Sequence, residues 1–307
     1  MIQLNNVSVY FDNLFKSTRV KALEDVSLTI NRGDCFAMIG QNGAGKSTAM
    51  YCLLGLIKPQ KGSVTIDGME FELGSSMYNN IGYLPEEPHY HDFLTIDEAL
   101  YFYSGLYNKT VTKQQRDEIL GEMGLFDQRY TRIKKCSKGM KQKLGIAQAI
   151  ITEPDILFLD EPTRGLDPII SRYFKQRLIN MKQKGSTIII NSHVLSEVES
   201  LANRAVIIDK GRVVLQDELI NITNSGEGRY QVEYEGKDVK RPAYLKNSRT
   251  TGALVTGSIP EDEFHEFMMF LNKNKLKLHK CLLNRMTLED SFFNIIKGDS
   301  NEPSTEA

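Results

Sequence analysis

The residues best suited to chemistry in this sequence form a glycine-rich stretch, GQNGAGKST, directly after the apolar run CFAMI. The stretch fits the spacing G-x-x-x-x-G-K-[ST], and a helical pattern follows it. In this pattern backbone N–H groups at a helix N-terminus surround phosphates, Lys46 supplies a positive charge and the Ser47 hydroxyl can ligate Mg²⁺. The sequence therefore predicts a site for the phosphates of a nucleotide, formed by Gly40, Gln41, Asn42, Gly43, Ala44, Gly45, Lys46, Ser47 and Thr48.

A second candidate is the pair of adjacent carboxylates in ILFLDEPTRGLD, the stretch from Ile156 to Asp167. Four apolar residues precede Asp160 and Glu161, as expected for a buried strand that ends beside a nucleotide. Unpaired charges directly after such a run would be costly to desolvate, which disfavours two ordinary surface carboxylates. We expect Asp160 to hold Mg²⁺ directly or through water, and Glu161 to polarise the water that attacks the γ-phosphate of ATP. The predicted reaction is ATP hydrolysis.

The elements that must position these residues are visible as short apolar runs. CFAMIG, DILFLD, STIIINS and RAVIID are typical of buried strands in a mostly parallel sheet, and helix-like stretches separate them. This alternation predicts an α/β layered core. IQLNNVSVYF and KALEDVSLTINRGD, which precede the first of these runs, are predicted to be antiparallel additions.

Composition limits the classes of protein to consider. The 307 residues are 41% hydrophobic and 25% charged, as in soluble globular proteins, and the net charge of −1 gives no overall attraction to nucleic acid or anionic lipid. The four cysteines form no C-x-x-C pair, which suits a reducing cytoplasm and argues against a zinc site. We find no signal peptide, and no apolar run approaches the length of a membrane helix.

A change of character divides the chain. We predict an ATPase domain over residues 1–221, a small accessory α+β domain over residues 222–297 after the polar stretch NITNSGEGR, and a disordered tail over residues 298–307. In the accessory domain Thr287 and Asp290 have the spacing of a helix cap. We interpret this domain as a dimer-stabilising or regulatory module rather than a ligand-binding one.

Five motifs in a fixed order resemble the ATP-binding subunit (nucleotide-binding domain) of ABC transporters over about residues 1–220: GQNGAGKST, IGYLPEEP, CSKGMKQK, ILFLDEPTRGLDP and NSHVLSEVE. The resemblance implies a P-loop NTPase core of the α/β class, with a small antiparallel β subdomain and an inserted helical subdomain at about residues 86–150. It also implies that two subunits enclose two ATP molecules, each bound by the P-loop of one subunit and the signature sequence of the other.

The resemblance assigns further residues to the ATP site. Phe11 stands where the family has an aromatic that stacks on adenine, with Tyr10 as the alternative, and His193 stands where the family has a histidine at the γ-phosphate. Glu86 occupies a position where the family most often has glutamine near Mg²⁺, so we expect it to contribute to the metal site and to strengthen the Mg²⁺ dependence. Asp167 is expected to organise the dimer interface.

CSKGMKQK stands at the signature position, where the family most often has LSGGQ. Ser137 and Gly139 are retained, whereas Lys138 and Met140 depart from the pattern. We expect all four to face the ATP held by a partner subunit, because the start of a helix favours an anion. A solvated basic face is the alternative interpretation.

GYLPEE, SKGM and LEDSFF resemble most the type-2 export group of ABC proteins. This implies an energy subunit at the cytoplasmic face of the cell membrane, attached through a separately encoded integral membrane permease, with no nucleic-acid partner. Soluble ABC ATPases that act on ribosomes or DNA are the alternative class. Those on ribosomes carry two cassettes in one chain, and those on DNA carry a long coiled coil between the halves of the phosphate site. The sequence leaves open the transported substrate and the choice between homodimer and heterodimer.

Overall fold

The computed structural model describes residues 1–13, 18–70, 79–107, 109–223, 228–284 and 287–299. It forms two compact units, Met1–Glu218 and Leu219–Ala307. The division falls between Glu218 and Leu219, just before the polar stretch NITNSGEGR. Each unit has its own buried apolar core.

A six-stranded sheet forms the centre of the first unit, in the order β10-β9-β3-β8-β7-β6. Its neighbours are parallel except for the antiparallel pair β9 and β10. The strands are β3 (Cys35–Ile39), β6 (Ile81–Leu84), β7 (Ile156–Asp160), β8 (Thr187–Asn191), β9 (Arg204–Asp209) and β10 (Arg212–Glu218). All five residues of β3 and of β8 are buried, as their largely apolar runs predict for a sheet covered on both faces.

The first unit also contains a four-stranded antiparallel sheet, in the order β2-β1-β4-β5. Its strands are β1 (Ile2–Asn13), β2 (Thr18–Ile30), β4 (Lys61–Ile66) and β5 (Met69–Glu70). The antiparallel pairing of β1 with β2 confirms the prediction from the sequence. The sequence did not predict β4, whose residues pair with β1 from Ile2 to Ser8.

Helices occupy the connections of the first unit. They are α1 (Lys46–Leu53), α2 (Ile96–Gly105), α3 (Lys113–Glu122), α4 (Lys138–Ile150), α5 (Pro168–Gln183) and α6 (Leu195–Leu201). Three of them, α2 to α4, lie between β6 and β7 in the chain and pack in the same core as Leu157 and Leu159 of β7. The predicted helical insertion, residues 86–150, is the region that contains these three helices.

The second unit is a four-stranded antiparallel sheet, in the order β12-β13-β11-β14, with helices. Its elements are α7 (Leu219–Thr223), β11 (Arg229–Glu235), β12 (Lys246–Thr251), β13 (Leu254–Pro260), α8 (Phe264–Lys273), β14 (Leu278–Asn284) and α9 (Leu288–Asp299). Tyr234 of β11 and Phe267 of α8 are fully buried, and their rings meet edge to face at 5.6 Å. These contacts give the unit a core of its own.

Two local predictions concern the end of the chain. Thr287 and Asp290 cap α9 reciprocally, since the Asp290 N–H donates to Thr287 Oγ1 at 3.1 Å and Thr287 N–H donates to Asp290 Oδ2 at 3.2 Å. This confirms the predicted cap. The first two residues of the predicted disordered tail, Gly298 and Asp299, belong to α9, and residues 300–307 lie outside the described part.

Among the described residues, no helix is both long enough and apolar enough to cross a membrane.

Candidate functional site

The glycine-rich stretch forms the turn between β3 and α1. Gly45 has φ +106° and precedes the first helical residue, and a Cβ on it would lie 2.5 Å from the Ala22 carbonyl oxygen. A Cβ on Gly40 would lie 2.2 Å from the carbonyl oxygen of Ile208. Because the backbone of neighbouring strands leaves no room for a side chain, this turn requires glycine at both positions.

Lys46 begins α1 and is held inside the turn that precedes it. Its side chain is 7% exposed, and its Nζ donates to the carbonyl oxygens of Gly40 at 2.8 Å and Gln41 at 3.0 Å. Burial lowers the pKa of Lys46, and the charges of Glu161 and Asp160 oppose that shift. The lysine is therefore fixed by its own loop and lies close to both predicted carboxylates.

Asp160 is the last residue of β7, where its register partner is Asn191, the last residue of β8. The Asn191 side chain bridges two predicted metal-site residues: its Nδ2 donates to Asp160 Oδ1 at 2.6 Å and lies 3.4 Å from Ser47 Oγ. The structure thus brings Ser47 and Asp160 to the same sheet edge. Asn191 was not predicted from the sequence, although a polar residue that closes the apolar run STIIINS was a usable signal.

The surroundings of Asp160 disfavour its negative charge. The residue is 1% exposed, and burial raises its pKa to about 6. The hydrogen bond from Asn191 opposes the rise, while the nearby charges of Glu86 and Glu161 add to it. A cation beside Asp160 would remove this penalty, because an opposite charge favours the ionised carboxylate.

The residues present fit a magnesium ion. Ser47, Asp160 and Glu86 offer hydroxyl and carboxylate oxygens, which are the ligands that Mg²⁺ prefers. In addition, Asn191 Oδ1 is buried and has no hydrogen-bond partner within the described ranges, so this sheet edge holds a polar acceptor still to be satisfied. Magnesium is usually held by only one or two carboxylates together with water and substrate phosphates.

Glu161 follows β7 with a left-handed backbone, φ +48°. Its N–H donates to the Asn191 carbonyl oxygen at 2.8 Å, which continues the strand pairing by one residue. Glu161 also meets His193, whose Nδ1 lies 2.6 Å from Oε2 and whose backbone N–H donates to Oε1 at 3.2 Å. The side chain of His193 is 59% exposed. The predicted base and the predicted histidine are therefore in direct contact.

Glu86 lies in the loop that follows β6, and its carboxylate forms an ion pair with Arg164. Asp167 is the N-cap of α5: its Oδ1 accepts from the Ile170 N–H at 3.0 Å, and its Oδ2 accepts from Lys143 Nζ at 2.7 Å. These bonds hold the pKa of Asp167 below its usual range, with the Lys143 contact the larger cause. Neither cationic partner, Arg164 or Lys143, was predicted from the sequence.

The predicted signature residues stand at the start of α4. Ser137 is the N-cap, and its Oγ accepts from the Met140 N–H at 3.2 Å. Lys138, the first helical residue, forms an ion pair with Glu87 at 2.6 Å and so points to the loop after β6. A Cβ on Gly139 would lie 3.4 Å from the Gly165 carbonyl oxygen, so this helix start packs close to the loop that follows β7.

Phe11 lies near the end of β1 in the antiparallel sheet. It is 46% exposed and pairs with Val20 of β2. Tyr10, the alternative, is partly buried, and the Arg19 guanidinium carbon lies 5.8 Å from its ring centroid. An exposed ring is available for stacking, so this geometry is compatible with the prediction for Phe11.

Comparison with known proteins gives consistent matches. The protein family described as ABC transporter matches residues 23–164. An uncharacterized ABC transporter ATP-binding protein of Nostoc sp. is 33% identical over 94% of this chain and 87% of the relative. A fluoroquinolones export ATP-binding protein of Mycobacterium tuberculosis is 35% identical over 70% of this chain and 71% of the relative.

Among solved structures, an ATP-binding cassette in a dimeric post-hydrolysis state bound to ADP and Pi superposes with a TM-score of 0.65. It is 23% identical and covers 71% of this chain and 99% of that chain, so it supports the fold. The parallel sheet and its glycine-rich turn before α1 define a P-loop ATPase fold of the α/β class, as the sequence predicted. The chain belongs to the family of ABC transporter ATP-binding proteins.

Proposed function

We propose that this chain is the ATP-hydrolysing energy subunit of an ABC membrane exporter, pairing with a second ATPase subunit around two ATP molecules. It would drive a separate membrane permease from the cytoplasmic face of the cell membrane. The observation that carries the proposal is the meeting of the Lys46 turn, Asp160 and Glu161 at one edge of the parallel sheet. The name of the Mycobacterium tuberculosis relative supports export, and the dimeric cassette bound to ADP and Pi supports pairing.

Lys46 is prepared to bind a phosphate. A lysine ammonium has three N–H donors, and the carbonyl oxygens of Gly40 and Gln41 accept two of them. The third donor, with the first N–H groups of α1, remains for the β- and γ-phosphate oxygens of ATP. Because the lysine is already fixed, binding ATP costs little side-chain entropy at this position.

Glu161 is the residue we assign to receive the proton of the attacking water. Its carboxylate is mostly buried, yet it is only one residue beyond the sheet edge that holds Asp160. His193 contacts it through both a ring nitrogen and a backbone N–H, which fixes the direction of the carboxylate. We therefore assign His193 the role of orienting Glu161 and sensing the γ-phosphate.

A magnesium ion, when bound, would neutralise charge on the phosphates, and Ser47, Asp160 and Glu86 are the residues that would hold it. Asn191 contributes by fixing Asp160 through its 2.6 Å hydrogen bond. The same hydrogen bond keeps one carboxylate oxygen of Asp160 in place before any ligand arrives.

The start of α4 is the part we assign to the ATP of the partner subunit. The first N–H groups of a helix have no acceptor within the helix and carry a partial positive charge, so they attract an anion. Ser137, Gly139 and Met140 form this turn, and the ion pair with Glu87 draws the Lys138 side chain to another loop. Because the Met140 N–H already donates to Ser137 Oγ at 3.2 Å, we assign the N–H groups of Lys138 and Gly139 to the phosphates of that ATP.

The relatives' names favour transport over a soluble ATPase acting on ribosomes or DNA. A direct check is affinity purification from detergent-solubilised membranes, followed by identification of the bound proteins. We expect a polytopic membrane protein, encoded beside this chain, that raises its ATPase rate. Purification with ribosomes or DNA in place of that protein would contradict the proposal.

ATPase activity of the purified chain tests the catalytic assignments. We expect Lys46→Ala to prevent ATP binding, and Glu161→Gln to bind ATP but lose roughly 100-fold or more of the hydrolysis rate, because a positioned base contributes about that much. Arg32→Gln is a suitable control, since Arg32 precedes β3 and lies at the opposite end of that strand from the glycine-rich turn. Normal turnover by Glu161→Gln would contradict the assignment of the base.

A further inference from the structure

Glu86 brings a negative charge to a site that already contains two carboxylates. ATP would add further negative charge. A cation of the protein beside Glu86 would offset this charge before ATP and magnesium bind.

Arg164 provides that cation from within the same chain. It is the third residue after Glu161, and its backbone N–H donates to the Glu161 carbonyl oxygen at 3.2 Å, so a tight turn sets its position. Its Nη1 donates to Glu86 Oε1 in an ion pair between residues 78 positions apart. The turn that carries the predicted base is thereby joined to the loop after β6.

A second ion pair lies at the same place. Glu87 pairs with Lys138 at 2.6 Å, and this contact is the main cause that lowers the pKa of Glu87, with Arg164 as a smaller contributor. Two acidic residues of the loop after β6 therefore face two basic residues, one from the turn after Glu161 and one from the start of α4. The two negative charges of this loop are therefore balanced by two positive charges.

Folding stability does not account for the Glu86–Arg164 pair. Both side chains are about half exposed, 45% and 50%, and ion pairs of this kind typically contribute only about 0–1 kcal/mol. The pair joins the turn that follows the predicted base to a residue of the predicted metal site, which favours a role in chemistry. There it fixes the direction of one carboxylate and cancels its charge.

We infer that Arg164 is a positioning residue that acts through Glu86: its guanidinium holds the Glu86 carboxylate at the edge of the ATP site and cancels the charge that this glutamate adds. The inference rests on the proposed ATPase function. Within the described part of the chain, Arg164 is the residue between Pro162 and Asp167 that forms an ion pair with the loop after β6.

The test compares Arg164→Gln in two backgrounds, the natural chain and Glu86→Gln. We expect Arg164→Gln alone to lower kcat about fivefold and to raise the Mg²⁺ concentration for half-maximal ATPase by a similar factor, within the range of couplings between contacting residues. In the Glu86→Gln background the same change is expected to alter both values by less than about twofold, since its target is gone. Arg164→Lys, which keeps the charge, should retain most of the activity.

A binding measurement provides a readout that does not depend on turnover. With a fluorescent ATP analogue in the presence of a chelator, Arg164→Gln should bind several-fold more weakly than the natural chain, because Glu86 then repels the phosphates. With saturating Mg²⁺ the difference should shrink. Arg32→Gln, which removes an exposed ion pair with Asp67, should change neither measurement.

Two results would overturn the inference: an equal effect of Arg164→Gln in both backgrounds, or no effect in the natural chain. If the natural chain hydrolyses ATP no faster than Lys46→Ala, the proposed ATPase function fails, and the binding measurement still decides the role of Arg164. If the natural chain hydrolyses ATP and Arg164→Gln has the same effect in the Glu86→Gln background, the ATPase function stands and only the role inferred for Arg164 fails.

Discussion

Asp160 carries a charge that its buried position in the fold disfavours. It is buried at the end of β7 beside Glu161, and its carboxylate is stabilised by the hydrogen bond from Asn191 and, to a smaller extent, by the charge of Lys46. Functional carboxylates often carry such a penalty, because the group must be ready for a ligand that arrives later. The free-energy cost of the Asp160 charge can therefore be measured in the chain without nucleotide or magnesium.

We predict that Asp160→Asn stabilises the nucleotide-free chain at pH 7 by about 1–2 kcal/mol while removing ATPase activity. Burial raises the pKa of Asp160 from 3.8 to about 6, so between these pH values the folded chain holds a proton that the unfolded chain has released. The free energy of unfolding should therefore fall as pH rises through this window in the natural chain. Asp160→Asn should lack that contribution to the fall.

Thermal or urea unfolding in a chelating buffer at pH 4, 6 and 7.5 measures this prediction. Asp155→Asn is the matched control, because Asp155 precedes the same strand and lies at its opposite end. A loss of stability in Asp160→Asn at pH 7.5 would contradict the account of the penalty.

At the residue scale the sequence identified the residues to examine but could not give their partners. Lys46, Asp160 and Glu161 follow from spacing and from apolar runs, which are local signals. Asn191 and Arg164 were missed because their meaning depends on contacts with residues 31 and 78 positions away. No local pattern distinguishes an arginine in a turn that faces solvent from one that neutralises a distant glutamate.

The start of α4 combines two roles in one element. Ser137 stabilises the helix as its N-cap and is also the residue we assign to the ATP of the partner subunit. Replacing an N-cap serine typically costs about 1 kcal/mol, so a variant here can lose stability and activity together. Thr112, the N-cap of α3, allows these effects to be separated.

We predict that Ser137→Arg abolishes ATPase activity, because an arginine would occupy the space of the incoming nucleotide. Thr112→Arg should lose a similar stability, about 1 kcal/mol, and retain activity when measured well below its Tm. Steady-state ATPase rates and thermal melts of both variants provide the comparison. Natural turnover by Ser137→Arg would overturn the assignment of the signature.

The strands that could be predicted from the sequence are those whose residues are nearly all buried. The four runs predicted as buried strands form β3, β7, β8 and β9, because a strand covered on both faces is apolar throughout. The strand β4 was not predicted because KGSVTI contains only two strongly apolar residues, and its pairing with β1 determines its structure. Tertiary contacts of this kind override weak local preference.

At the scale of the whole molecule, the second unit is an independent fold with no assigned chemistry. Leu219 and Ile222 are buried, and both belong to this second unit. A truncation after Glu218 therefore keeps both residues with their own unit, whereas a truncation near residue 221 would separate them. The structural division supplies the better boundary for an experiment.

We predict that a chain ending at Glu218 retains ATP binding but dimerises more weakly, if the second unit stabilises the dimer as we propose. ATPase activity should then fall at low protein concentration and recover as concentration rises, because only the dimer has complete sites. A chain ending at Asp299 is the control. An unchanged dimerisation constant, measured by sedimentation, would contradict this role.

The left-handed backbone of Glu161 has a consequence for engineering. A side chain other than glycine in this conformation costs on the order of 1 kcal/mol, and the position accepts glycine or asparagine more readily than glutamate. Variants selected only for heat resistance should therefore accumulate changes at this position. A library enriched in this way would be expected to contain well-folded proteins that bind nucleotide and no longer turn it over, so selection for robustness needs a parallel selection for hydrolysis.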